Sequence, residues 1–152
     1  MNWLPHVTVA AVIEQNGKFL MVEETSNGQL VFNQPAGHLD EGETLLQAVS
    51  RETLEETAWH FTAEYLVGVY LWTGEHNGIT YVRFCYAGQV STHEPNRELD
   101  DGILAAHWLS RDELSAKADQ LRSPMVLQCI DDYLAGKRIA LDSITHLLPP
   151  AG

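Results

Sequence analysis

Between Gly37 and Trp59 the chain reads GHLDEGETLLQAVSRETLEETAW, and three carboxylates, Glu52, Glu55 and Glu56, crowd into five residues of it. At about 100° per residue, a helix through this run puts all three on an arc of roughly 100°, because positions three and four apart are neighbours. Like charges at that spacing repel. The pattern fits either a solvated acidic helix face or a cation site. For a cation, an all-oxygen donor set without thiols suits Mg²⁺ or Mn²⁺ rather than a softer metal.

The flanks define the helix. Thr44 and Gln47 have the spacing of a capping box, so the helix is expected to begin just after Thr44. Leu45, Leu46 and Val49 give it an apolar side beside the acidic one, so it should dock on the rest of the protein. Asp40-Glu41-Gly42 is a turn, and Gly37, shortly after Pro35, is a place where backbone can approach a ligand closely.

This stretch resembles the Nudix box, G-x5-E-x7-R-E-U-x-E-E-x-G-U, with U a bulky aliphatic residue. Six literal positions match without a gap: Gly37, Glu43, Arg51, Glu52, Glu55 and Glu56. The chance of that at a given start is roughly 10⁻⁷ for ordinary residue usage. Three positions depart from the pattern: Thr53 and Trp59 replace aliphatic residues, and Ala58 stands where glycine is expected. A non-glycine residue in the left-handed conformation costs about 1 kcal/mol, so a changed helix exit is expected at Ala58.

Length and charge set the wider limits. With 152 residues, 45% of them hydrophobic, one domain over residues 1–152 with a sizeable core is expected. Nine basic against 21 acidic residues, a formal net charge of −12, argues against binding a nucleic-acid polymer. An acidic chain that handles phosphate needs a divalent cation to reverse the local sign. Cys85 and Cys129 lack zinc or redox spacing and read as buried thiols. No signal peptide is evident and no apolar run approaches about 18 residues, which leads us to expect a cytoplasmic protein without membrane association.

Residues 6–13 read as a buried strand, Asn16-Gly17 as a tight hairpin and Lys18 to Val22 as its returning partner. Glu23 to Gly28 reads as a polar loop. Glu64 to Thr73 and Thr80 to Val90 read as strands joined by a Gly74 to Gly78 hairpin loop, Ser91 to Gly102 as irregular, and Ile103 to Leu109 as another strand. Ser110 with Glu113 marks a second helix start, and a last helix is expected from Ser123-Pro124 to Leu134, stopped by Gly136. The residues thus describe a mixed sheet with packed helices. The resemblance sharpens this to the Nudix fold, an α/β/α sandwich whose box forms a loop-helix-loop.

The resemblance also implies chemistry: metal-dependent hydrolysis of a phosphoanhydride in a small-molecule nucleotide or pyrophosphate. It implies Glu52 and Glu56 as metal ligands, Glu55 as a third ligand or the group ordering water, Gly37 as a carbonyl ligand, and Glu43 with Arg51 as supporting residues. A further acidic group is expected from the Arg97 to Asp101 loop, with Glu98 and Asp100 as candidates. For the substrate, Phe32, Trp72 and Tyr81 are candidate ring platforms, although aromatic residues on strands are more often core. Arg83 shares a strand face with Tyr81, and Arg122, His38 and Gln34 are candidate polar contacts. Short stretches outside the box, Glu23-Glu24-Thr25, Asn33 to Leu39 and Leu121-Arg122-Ser123-Pro124, are similar to the NudJ-type branch of bacterial phosphatases. That branch removes phosphate from nucleoside di- and triphosphates and from hydroxymethylpyrimidine and thiamine pyrophosphates. A nucleoside triphosphate pyrophosphohydrolase and a non-enzymatic nucleotide sensor are the alternative readings. The expected state is a monomer or a homodimer.

Overall fold

The computed structural model describes residues 2–150. Two four-stranded sheets organise them. The first holds β1 (His6–Val12), β5 (Ala36–His38), β6 (Trp59–Thr73) and β7 (Thr80–His93) in the order β5-β1-β7-β6. It is mixed, because β1 runs parallel to β7 while the other pairs are antiparallel. In the second sheet, β3 (Lys18–Ser26) lies between β4 (Gln29–Asn33) and β8 (Ile103–Ser110), and the short β2 (Glu14–Gln15) extends the β3 hairpin.

Helices cover both faces of the first sheet. Alternate residues of β1 point to opposite sides. Val9, Ala11 and Ile13 pack with Leu45, Ala48 and Val49 of α1 (Leu45–Thr57). Ala10 and Val12 pack with Leu114 of α2 (Arg111–Ala116) and with Val126, Cys129 and Ile130 of α3 (Met125–Leu134). The three layers expected from the sequence are therefore present, with β1 buried on both faces.

Local signals account for the element ends. Thr44 and Gln47 make both bonds of the capping box, as do Ser110 and Glu113 at α2. Asn16-Gly17 and Asn27-Gly28 each have positive φ at both residues, the conformation of a two-residue hairpin turn. The second of these turns corrects an expectation. Glu23 to Ser26 continues β3 instead of forming a loop, with Glu24 opposite Val31 and Thr25 opposite Leu30. Polar residues do not end a strand when one of its faces borders solvent or a cleft. Similarly, β6 begins at Trp59 rather than Glu64 and β7 runs on to His93, because the long hairpin absorbs irregularities at three bulged points.

Ala58 supplies another correction. It adopts φ 64° and ψ 17°, the left-handed conformation usual for glycine, and its N–H donates to the Leu54 carbonyl. The helix exit is the ordinary one, held by tertiary packing at a local cost of about 1 kcal/mol. No helix among the described residues is long and apolar enough to cross a membrane.

Candidate active site

Arg51 ties the acidic helix to the preceding turn. Its Nε and Nη2 donate to the two carboxylate oxygens of Glu43 at 3.0 and 2.6 Å, and its Nη1 donates to Glu52 at 2.8 Å and Glu55 at 2.7 Å. Nη2 also reaches the carbonyl of His38 at 3.0 Å. The fork–fork geometry with Glu43 is the strong form of such a pair. It draws the Glu43 carboxyl below its usual range and pushes the Arg51 guanidinium further up. Glu43 in turn accepts the Asp40 N–H at 2.8 Å, closing the turn ahead of α1. With Asp40 at 3.3 Å from Nη2, one cation is thus shared among four carboxylates, which leaves the cluster negative.

What disfavours a side chain at Gly37 is contact rather than φ. A Cβ at this position would lie 2.1 Å from the Glu52 carboxyl carbon, so the carboxylate occupies the space that any side chain would need. Burial raises the Glu52 pKa to about 6 despite Arg51. Glu56 goes deeper: it is 8% exposed and accepts the Ala36 N–H at 2.9 Å. Burial outweighs that bond and pushes its pKa up to about 9, with smaller contributions from Glu52, Glu24 and Asp100.

The loop after β7 adds a further acid. Carboxylate oxygens of Glu52, Glu55 and Asp100 all lie within 4.8 Å of one another. The backbone fixes this approach, because the Asp100 N–H donates to the Glu55 carbonyl at 3.0 Å. Glu98, the other candidate from this loop, is exposed and stands outside that group of oxygens. Glu56 also stands outside it, on the side of the helix that faces Ala36.

Gly37, Glu52 and Glu56 open onto a cleft of about 1210 Å³, which Arg83, Tyr81, Trp72, His38 and Arg122 also line. Strand register sets their order. His38, Thr8 and Arg83 lie side by side across β5, β1 and β7, and the next row is His6, Tyr81 and Trp72. Trp72 and Tyr81 stack at 5.7 Å with 19° between their planes. His38 bonds the His6 ring at 2.9 Å, and its pKa is lowered by burial and then by the charges of His6 and Arg122. Arg122 donates to Glu24 at 2.7 Å.

Two candidate substrate contacts lie elsewhere. Phe32 is buried away from the cleft, beside His107 and under the Lys117 ammonium at 5.1 Å, because the alternation of β4 turns Val31 and Asn33 toward the cleft instead. Gln34 is 1% exposed and spends its amide internally, donating to the Ala11 carbonyl at 3.2 Å and accepting from Arg83 at 2.8 Å. Arg83 is itself 4% exposed, not a surface group. Glu24, 9% exposed on the cleft wall, is absent from the sequence-derived site. Its signal was the alternation running on past Val22, obscured by the polar composition of Glu23 to Ser26.

Comparison with known proteins agrees with this fold. The NUDIX domain model matches residues 4–129. Phosphatase NudJ of Escherichia coli K12 is 39% identical over 140 residues, spanning 92% of this chain and 90% of that protein. A NUDIX hydrolase from Nitrosomonas europaea is 53% identical, with a TM-score of 0.93 over 95% of this chain and 98% of its own. The NUDIX domain of Shewanella oneidensis NrtR, solved with ADP ribose, shares the fold at 19% identity and a TM-score of 0.69, over 88% of each chain. With Glu52 and Glu56 of the box lining a cleft on this fold, the chain belongs to the Nudix family, as a hydrolase of pyrophosphate bonds.

Proposed function

We propose that the chain is a Mg²⁺-dependent phosphatase that removes the terminal phosphate of nucleoside di- and triphosphates and of thiamine-type pyrophosphates. The observation that carries this reading is the crowding of carboxylates beside Gly37, where one guanidinium is shared by four acids and Asp100 adds a fifth. Such a set is all oxygen and carries excess negative charge, which fits Mg²⁺, with Mn²⁺ as a substitute. Glu52, Glu55 and Glu56, with the Gly37 carbonyl, would hold the ion. A bound divalent ion supplies charge neutralisation at phosphate oxygens and a water that ionises more easily.

The chain's own residues do the rest. Asp100, the exposed carboxylate of the cluster, would accept the proton of the attacking water. Arg51, fixed by Glu43, holds Glu52 and Glu55 in position without acting as a base, since its guanidinium stays charged. Trp72 with Tyr81 offers a flat platform for a substrate ring, and Arg122 and His38 border the phosphate path. A flat ring at one end and carboxylates at the other suit a pyrimidine or thiamine-type group joined to a phosphate chain. The 39% identity to phosphatase NudJ supports the same activity. The two buried free thiols are in keeping with a reducing cytoplasm, and one domain accounts for the chain.

A substrate panel with Mg²⁺, scored separately for orthophosphate and pyrophosphate, tests this reading. Orthophosphate from both a nucleoside diphosphate and thiamine pyrophosphate is the expected result. Pyrophosphate from triphosphates, with diphosphates inert, would replace it with a pyrophosphohydrolase. Binding without turnover across the panel would overturn the mechanism.

A further inference from the structure

Arg83 is a buried cation without a carboxylate partner. Its residue is 4% exposed, and among the described residues it makes no ion pair. Its Nη1 donates to the neutral Gln34 amide at 2.8 Å and its Nη2 reaches the neutral Asn33 amide at 3.5 Å, while its buried Nε has no partner. Both amides are in turn held from behind: Gln34 donates to the Ala11 carbonyl, and Asn33 accepts the Gln34 N–H at 2.9 Å. An ionisable neighbour on this side is the Cys129 thiol, which burial raises and which hydrogen bonds from Cys85 and Arg83, with the Arg83 charge, draw back below its usual value. A guanidinium left in this state is costly, and a chain with 21 acidic residues had many ways to pair it. It has no carboxylate partner although it lines the same cleft as Glu52 and Glu56.

The register gives the position of this charge. Arg83 lies on β7, two strands from β5, in the row of Thr8 and His38 and on the α3 face of the sheet, whereas Gly37, next to His38, meets Glu52 on the α1 face. Two strand spacings amount to about 10 Å between backbones, within the combined reach of a long side chain and a phosphate chain. We infer that Arg83, positioned by Gln34 and Asn33, is a preformed site for the second, non-reacting phosphate group of the substrate. The neutrality of the two amides is part of the device, since they orient the guanidinium fork without cancelling its charge. This inference rests on the hydrolase reading for the word substrate, while the anion site itself does not.

The test has two arms. In the first, metal-free protein in EDTA is melted with inorganic pyrophosphate and with orthophosphate. Pyrophosphate is expected to raise the melting temperature of the natural protein more than orthophosphate does, through mass action on the folded state. Arg83→Gln, which keeps an amide for Gln34 and removes the charge, is expected to lose that difference, and Arg83→Lys to keep part of it. No stabilisation of the natural protein, or equal stabilisation of Arg83→Gln, overturns the inference. In the second arm, Mg²⁺-loaded enzyme acts on a nucleoside diphosphate. Arg83→Gln is expected to raise KM at least tenfold with kcat within about threefold, because a group that grips a non-reacting phosphate contributes mainly uniform binding. A fall in kcat at unchanged KM overturns it, as would an Arg83→Lys enzyme no better than Arg83→Gln in both arms. Pyrophosphate stabilisation without turnover in the natural protein would leave the anion site standing and remove the hydrolase mechanism instead.

Discussion

The two ends of the cleft carry opposite excesses. Around Gly37, carboxylates outnumber cations and one of them, Glu56, is held protonated by burial. Around Arg83, a buried cation meets only neutral amides and a thiol. These charges would satisfy each other if they touched, but the sheet holds them two strands apart. On the proposed reading, what completes the two ends is a divalent cation at one and a phosphate at the other. A site assembled for stability alone would have paired them.

The harshest way to break this contrast is to remove charge from the acidic end. Glu52→Gln or Glu56→Gln should lower kcat by about 10³ or more with Mg²⁺ present, the scale on which metal-assisted hydrolysis depends on its ligands. Steady-state kinetics beside an unchanged circular dichroism spectrum checks this, and a fully active Glu56→Gln enzyme would dismiss Glu56 as a ligand.

Crowding that end without altering its charge comes next. Gly37→Ala puts a methyl 2.1 Å from the Glu52 carboxyl carbon, so Glu52 must swing away. We expect a loss of about 10²-fold in kcat/KM and of about 1–3 kcal/mol in stability, measured by urea unfolding.

The protonation of Glu56 sharpens the contrast through pH. In the unfolded chain Glu56 ionises at its ordinary value of 4.5, whereas in the folded, metal-free protein burial raises it to about 9, and Glu52 follows to about 6. Between those values the unfolded state has lost protons that the folded state keeps, so stability is fullest below about 4.5 on this account and declines as pH rises toward 9. Melting the protein in EDTA from pH 6 to pH 9 should show a falling midpoint, with Mg²⁺ restoring it at the alkaline end. Glu56→Gln should flatten the metal-free profile and melt a few degrees higher near pH 8, equivalent to about 1–2 kcal/mol. A metal-free midpoint that climbs across this range would contradict the burial of Glu56.

The smallest effect lies away from both ends. Ala58→Gly relieves a left-handed alanine at the exit of α1 and should stabilise the protein by up to about 1 kcal/mol, offset in part by the entropy of glycine in the unfolded chain. Activity should be unchanged, which separates helix-exit geometry from the charge contrast in the cleft.

Much of the acidic end was legible without coordinates, because its determinants are local. The Thr44 capping box, the one-sided placement of Glu52, Glu55 and Glu56, and the pairing of Arg51 with Glu43 all act between residues no more than eight apart. Helical periodicity and side-chain reach fix such relations wherever the helix forms. The same locality explains the hairpin turns at Asn16-Gly17 and the second capping box at Ser110.

What the tertiary structure decided depends on which strands lie beside one another. Asp100 rather than Glu98 joins the glutamates because a backbone bond to Glu55 fixes the loop. Gln34 and Arg83, 49 residues apart, meet only where β1 and β7 pair, and that meeting turns a suspected substrate amide into a support for a buried cation. Phe32 turns inward while Glu24 turns to the cleft, because the side chosen by a strand's alternation is set by the sheet it enters. Residue types and local spacing thus determined what chemistry the chain carries. Burial and register, which no short stretch encodes, decided which of its charges remain uncompensated and how far apart they are held.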